Sequence, residues 1–291
     1  MIGRPILTEI IQEDLIKQYN MERIQYIPVL KAMALALCFG LAGCSAEQVL
    51  DEAHPIEIEA TIPAQTKAGV ADLEKKAFAN DDLITVSKSG TSAVYKYTNG
   101  RWLPNTGTGL STTGAGETFT ASWQPADFDG IQSNQNTADN YQKSYALTAK
   151  ATASANLVQF RFAPAAAKIT IVVTYTTNCS AGSASITGDK LFDETSSNQT
   201  INFLPVTNSD KKHTFMGLVC PGKKTYTISV KSTPQNGSEQ TKTYSQASKV
   251  LEAGHNYTYN FSTDSRSLLI LNNVTVTEFA TGGTTTVGDA T

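Results

Sequence analysis

From residue 56 onward, short runs alternate apolar and polar positions with a period of two. Ile56-Glu57-Ile58-Glu59-Ala60-Thr61-Ile62 is the first, and Pro63 ends it. That spacing puts Ile56, Ile58, Ala60 and Ile62 on one face of a half-buried strand. Leu83 to Val86 and Ser92 to Tyr97 follow, and Thr98-Asn99-Gly100 turns the chain into Arg101-Trp102-Leu103. Asn-Gly between such runs is a strong hairpin signal. Residues 105–117 read as a Gly/Thr loop, and Phe119 to Trp123 alternates again before Pro125. Residues 126–153 show no clear period and predict a short helix or a long loop. Leu157 to Phe162 is a strand, Ala163-Pro164-Ala165-Ala166 breaks it, and Lys168 to Tyr175 is the cleanest strand of the chain.

The second half repeats the style. Strands are predicted over Thr214 to Cys220 and Thr225 to Val230, with Pro221-Gly222 as the turn between them. Asn236-Gly237 marks another hairpin, with Thr241 to Tyr244 as its return strand. Tyr257 to Phe261, Ser267 to Leu271 and Val274 to Phe279 complete the set, and 280–291 (ATGGTTTVGDAT) reads as a flexible tail. Many short strands with regular turns predict an all-β chain of sandwich or barrel type. The break at Pro164 separates two strand sets of similar size. We read two β-sandwich domains in tandem, 56–163 and 164–291.

Upstream of the strands, residues 32–47 read AMALALCFGLAGCSAE. Arg23 and Lys31 precede an apolar run, Ala32 to Leu41, that is shorter than the roughly 20 residues of a membrane-spanning helix. Leu41-Ala42-Gly43-Cys44 resembles the bacterial lipobox. The resemblance implies cleavage between Gly43 and Cys44 and lipidation of Cys44, with 44–55 as a tether. Met21 starts a signal of ordinary length. Residues 1–20 carry Glu9, Glu13 and Asp14 against Arg4 and Lys17, a poor positive region, and read as an upstream extension of a signal at 21–43.

Composition narrows the classes. Residues 1–44 hold four basic and four acidic residues, which leaves 19 Lys and Arg against 22 Asp and Glu beyond them. No basic stripe suggests nucleic-acid binding. Cys179 and Cys220 are compatible with one disulfide or with two buried thiols, and their spacing fits neither a disulfide framework nor a zinc pattern. There is no HExxH, GxSxG or P-loop motif, and His54, His213 and His255 are scattered. The sequence therefore points to no enzyme, no metal and no cofactor. Trp102, Trp123, Tyr95 and Tyr97 suit cross-strand packing better than a sugar-stacking platform.

Several segments fall in the order of a known family. After the lipobox and the Ile56–Ile62 strand come a loop holding Lys67 and the segment from Phe78 through Asp81-Asp82 to Val86. The Tyr95-Lys96-Tyr97 hairpin with Asn99-Gly100 and Trp102, the Phe160–Ile171 junction and Ala253-Gly254 with Tyr257 and Tyr259 complete the series. In this order they resemble the fimbrillin family, the subunits of type V pili. Ala163-Pro164 departs from the histidine often found at the junction. No Arg lies between Cys44 and Arg101, so Lys67 is the nearest basic match to the family's cleavage position.

The resemblance implies two transthyretin-like sandwiches and no catalysis. It implies an outer-membrane lipoprotein that moves into a cell-surface fimbria and contributes to adhesion. The partners it implies are other fimbrial subunits, of the same or a different kind, the outer membrane through the lipid, and a host or bacterial surface ligand. It further implies that cutting near Lys67 removes the Ile56–Ile62 strand, and that a neighbour's C-terminal segment fills the groove. In this chain that donor would carry Leu269, Leu271, Val274, Val276 and Phe279. A permanently lipid-anchored surface glycan-binding or adhesin module is the alternative.

Overall fold

A computed structural model describes residues 52–63, 73–263 and 269–278, with the backbone alone at 181 and 284–287. The expectations placed on Gly43, Cys44, Lys67 and Phe279 lie outside the described residues. The first ten strands are β1 (His54–Pro55), β2 (Glu57–Thr61), β3 (Leu83–Lys88), β4 (Thr91–Thr98), β5 (Arg101–Pro104), β6 (Ser111–Thr112), β7 (Thr118–Trp123), β8 (Leu147–Thr152), β9 (Leu157–Arg161) and β10 (Ala163–Pro164). Helix α1 (Ala138–Lys143) precedes β8. The rest are β11 (Ala167–Thr174), β12 (Cys179–Gly188), β13 (Gln199–Asn202), β14 (Leu204–Ser209), β15 (Lys212–Val219), β16 (Gly222–Pro234), β17 (Gln240–Leu251), β18 (His255–Thr263), β19 (Leu269–Glu278) and β20 (Thr284–Val287).

The first set forms a six-stranded sheet in the order β10-β8-β7-β3-β4-β5, with β2 paired to β9 and β1 to β6. Period-two alternation supplies its core. Ile84 and Val86 of β3, Phe119 and Ala121 of β7, Leu147 and Ala149 of β8, and Val158 and Phe160 of β9 are all buried together. The turns obey backbone chemistry. Thr98 pairs with Arg101 across Asn99 and Gly100, whose φ values are 50° and 84°. Two positive φ angles in a two-residue loop match the right-handed twist of the strands. Ser89-Gly90 makes the same turn between β3 and β4, at φ 48° and 84°.

In the second set, a six-stranded sheet in the order β14-β15-β11-β18-β19-β20 packs on a four-stranded sheet, β13-β12-β16-β17. Ile169, Ile171 and Val173 of β11 meet Ile186 of β12, Ile228 and Val230 of β16, and Tyr257, Tyr259 and Phe261 of β18 in a second core. The fold is an all-β sandwich, as the strand spacing predicts.

Apart from the two-residue strands β1, β6 and β10, and β19, which joins two expected strands into one, three regions differ from the sequence reading. Residues 126–153 hold both α1 and the buried strand β8. Thr137 caps α1 by accepting from the Asn140 N–H at 3.3 Å, with Asp139 in the first turn and Lys143 in the last. Strands β12, β13 and β14 went unpredicted, because CSAGSASITG and its neighbours lack the β-branched density that marks a strand. The tail read as flexible contains β20, which pairs antiparallel with β19 from Val274↔Val287 to Thr277↔Thr284.

The two cores part between Ala166 and Ala167, but the sheet of β11 and β15 serves both. Leu204, Met216 and Leu218, on its outward face, join the first core. Beyond Met216, strand β15 has lost β14 as a neighbour. Gln135, fully buried, takes that place. Its amide accepts from the Leu218 N–H and donates to the Leu218 carbonyl, both at 2.8 Å. One side chain thus completes a backbone ladder that would otherwise be left unpaired. Gln135→Ala is expected to lower unfolding free energy by about 1–3 kcal/mol for each of the two groups left without a partner, as measured by denaturant titration. Gln135→Glu is expected to be no better, since an ionised carboxylate cannot donate to the carbonyl.

Candidate functional site: the first and last strands

The sequence nominates two strands, and the structure holds them differently. β2 pairs parallel with β9 alone, from Glu57↔Leu157 to Thr61↔Arg161. Ile56 and Ile58 are buried in the first core, with Ala60 and Ile62 packed against it, while Glu57, Glu59 and Thr61 face solvent. The alternation therefore does what the spacing predicts. Glu57 N donates to Asn156 O at 2.8 Å, and Phe162 N to Thr61 O at 2.9 Å. On the other edge, no strand among the described residues is hydrogen-bonded to β2, and Ile56 N donates to Leu110 O at 3.0 Å. Val158, Phe160, Trp102 and Leu110 share the core that β2 covers.

A bracket supports the start of this segment. β1 pairs with β6 through His54↔Thr112 and Pro55↔Ser111. Lys88 Nζ donates to Glu117 at 2.6 Å and to the Ser111 carbonyl at 3.1 Å, and the Thr112 hydroxyl donates to Glu117 at 2.6 Å. The Lys88 and Thr112 hydrogen bonds hold the Glu117 carboxyl at about 2. A depressed carboxyl favours the fold above its ordinary range and loses that contribution as pH falls towards 2. The bracket therefore outlasts ordinary carboxylates on acidification.

On the far side of residues 64–72 the chain is fixed. Leu73 packs in the first core. Glu74 accepts from Lys168 Nζ at 2.6 Å and from the Tyr141 hydroxyl at 2.9 Å, with both charged side chains under 10% exposed, at 7% and 3%. Lys75 reaches Asp82 at 2.8 Å and lies 4.6 Å from the Trp123 ring centroid. Reading the sequence missed this post. Glu74 sits in a charged run that resembles a solvated loop, and Lys168 opens a strand whose alternate positions looked exposed. The signal was a lysine at the head of the cleanest strand of the chain.

β19 is seated between β18 and β20 of its own sheet. Leu269 and Val274 are buried, and Leu271 and Val276 pack against the second core. These residues do not share one parity. Asn260 pairs with Asn273 but Phe261 pairs with Leu271, so Asn272 is an extra residue in a β-bulge. The bulge flips the face, and that is why both pairs point inward. A regular strand would present Leu269 and Leu271 on one face and Val274 and Val276 on the other. The first and last strands do not meet; one closes the first core and the other the second.

Other candidates resolve simply. Cys179 and Cys220 are free thiols in this structure, the first buried and the second half-buried. Tyr95 and Trp102 are core residues. Phe78 meets Trp102 edge-on at 5.0 Å, and Tyr97 lies 5.0 Å from Trp102. These aromatics pack on one another instead of forming an open row. Among the described residues, no group of three metal-ligating side chains is present.

No protein-family profile matches the sequence, and no curated protein matches it. Solved structures do. A candidate cell adhesion protein from Bacteroides ovatus aligns at TM-score 0.53 and 18% identity, over 78% of this chain and 98% of that one. A second, from Bacteroides uniformis, aligns at 0.50 and 16%, over 77% and 97%. The fimbrial anchor protein Mfa2 from Porphyromonas gingivalis aligns at 0.40 and 10%, over 79% and 99%, too loosely to bear weight. At these identities the likeness is one of fold.

Ile58→Ala is expected to cost about 2–5 kcal/mol, read by thermal or denaturant unfolding. Lys168→Ala, which strands the Glu74 carboxylate, is expected to cost about 3–5 kcal/mol. The double variant Glu74→Gln, Lys168→Met is expected to recover much of that loss.

Proposed function

We propose that this chain is a structural subunit of a cell-surface fimbria of the type V kind. It is exported as an outer-membrane lipoprotein through Cys44, assembles by donor-strand exchange and contributes to adhesion. The observation that carries this reading is the asymmetry around residues 64–72. Before them stands a short alternating strand paired along one edge; after them the chain is held by Leu73, the Glu74–Lys168 pair and Lys75. A cut between the two, at Lys67, would free β2 and leave the rest of the fold covalently whole.

Losing β2 would bare the β9 edge and the apolar wall of Val158 and Phe160, a template for strand addition. An incoming strand from another subunit would restore the hydrogen bonds and put alternate side chains where Ile56 and Ile58 sit. β19 is our donor candidate: without its bulge it would present either Leu269 with Leu271 or Val274 with Val276 to the groove, and with the bulge kept it would present both pairs. Phe279 shares the parity of the first pair. Such a head-to-tail contact builds open filaments. Division into two domains at 163/164 belongs to the same proposal, and partition of the cores near Ala166 supports it. The adhesion role ascribed to the similarly folded Bacteroides proteins is compatible with it. Packing of Trp102 against Phe78 and Tyr97, and the burial of Tyr95, weigh against the glycan-binding alternative.

Intact mass and N-terminal sequencing on outer membranes and on sheared surface filaments test the proposal. We expect an acylated form starting at Cys44 in membranes and a form starting just after Lys67 in filaments. An acylated form alone, with nothing in the filament fraction, would contradict strand removal and favour a static surface lipoprotein.

A further inference from the structure

We propose that His213 is a pH-sensitive latch, whose protonation opens the end of the second sandwich at which β19 enters its sheet. The function of that opening rests on reading β19 as a donor strand; the latch itself does not.

His213 has no exposed surface, and neither ring nitrogen has a hydrogen-bond partner. Two other buried hydroxyls lie at the same end, those of Tyr175 and Ser232, close enough for Ser232 to offset part of the burial of Tyr175. The His213 ring lies 4.8 Å from the Tyr175 ring and 6.1 Å from that of Phe215, both edge-on. Such a pocket tolerates the neutral imidazole and offers the cation no countercharge. Burial is the larger influence and pushes the imidazole below its ordinary value. The Cys179 backbone nearby pulls the other way, without making a hydrogen bond that satisfies either nitrogen.

The groups around this end supply no countercharge. Tyr175 follows β11, and burial pushes its hydroxyl up to about 12. Burial also raises the Cys179 thiol at the start of β12, so it stays neutral. Ser232 comes from β16. Lys242 of β17 is itself buried and acts on the Cys179 thiol as a cation. The neighbouring Lys212 and Asp210 side chains are exposed.

Position gives the ring its leverage. His213 pairs with Val173, Val173 with Phe261, and Phe261 with Leu271, so one inward row runs from the imidazole to β19. Leu269, the first described residue of β19, pairs with Thr263 at this same end. A charge that the packed row cannot accept is relieved by parting the row.

The sign follows from linkage. Unfolded or locally open chain takes up a proton near pH 6.5, while the packed ring resists it to lower pH. The latch therefore holds above about pH 6.5 and weakens below it, by at most about tenfold in the opening equilibrium per pH unit.

Amide hydrogen exchange on the full chain at pH 7.5 and pH 5.5, corrected for intrinsic rates, tests this. We expect protection at the start of β15, the end of β18 and the start of β19 to fall by up to about tenfold at pH 5.5. His213→Phe, which keeps the aromatic packing and cannot titrate, should abolish the difference. Equal protection at both pH values in the natural chain, or the same fall in His213→Phe, overturns the proposal. Should His213→Phe not fold, an NMR titration of the natural imidazole decides. A ring that protonates at or above pH 6.5 within the closed fold contradicts the latch; one that protonates only below that value, with opening, supports it. A wrong donor assignment would read differently, as an intact exchange pattern in a chain that forms no filaments at either pH.

Discussion

One constraint organises the first sandwich: every backbone group of a buried strand must find a partner, and β2 finds its strand partner on one side. A five-residue parallel ladder with β9, two buried isoleucines and a bracket at β1 hold it in place. Each hydrogen bond of such a ladder contributes about 0.5–1.5 kcal/mol net, and each buried Ile side chain about 1.5–3 kcal/mol. That is ample to keep a tethered strand home. It is far less than the rest of the core contributes.

The second sandwich sets the frame for this. Its six-stranded sheet is covered on both faces near β15, by its own partner sheet on one side and by Leu204, Met216 and Leu218 against the first core on the other. Gln135 and the Glu74–Lys168–Tyr141 cluster fasten the two regions with directional bonds. A buried ion pair contributes little net stability compared with apolar packing, but it strongly penalises any arrangement that separates its partners. Such groups fix where the chain after residue 72 must sit, whatever happens to the strand before residue 64. The apolar cores supply cohesion; these few polar contacts supply register.

Much of this was legible in the sequence, and the exceptions have physical causes. Period-two runs located β2, β3, β7, β9, β11 and β18, and Asn99-Gly100 fixed its hairpin to the residue. Ser89-Gly90 makes an equivalent turn with a weaker sequence signature. β12 was hidden because Ser, Gly and Ala alternate with few β-branched residues; its strand character comes from tertiary pairing with β16. β8 was hidden by its setting, a polar stretch without period. The alternation of Ile56 to Ile62 was readable, but single-edged pairing was not, since a sequence does not say which strands lie beside it. Local spacing likewise could not show that a bulge at Asn272 unites two pairs of opposite parity, or that Glu74, Lys168 and Tyr141 would converge.

Donor-strand assembly requires that β2 be separable from a fold that survives without it. The most direct measurement introduces a specific protease site within residues 64–72, cuts the folded protein, and follows exchange of the released segment against an isotopically labelled peptide spanning residues 52–63 by native mass spectrometry. The account expects the cut protein to stay folded and the labelled peptide to replace the original strand. A cut protein that unfolds at once, or one whose strand never exchanges while the fold persists, would contradict it.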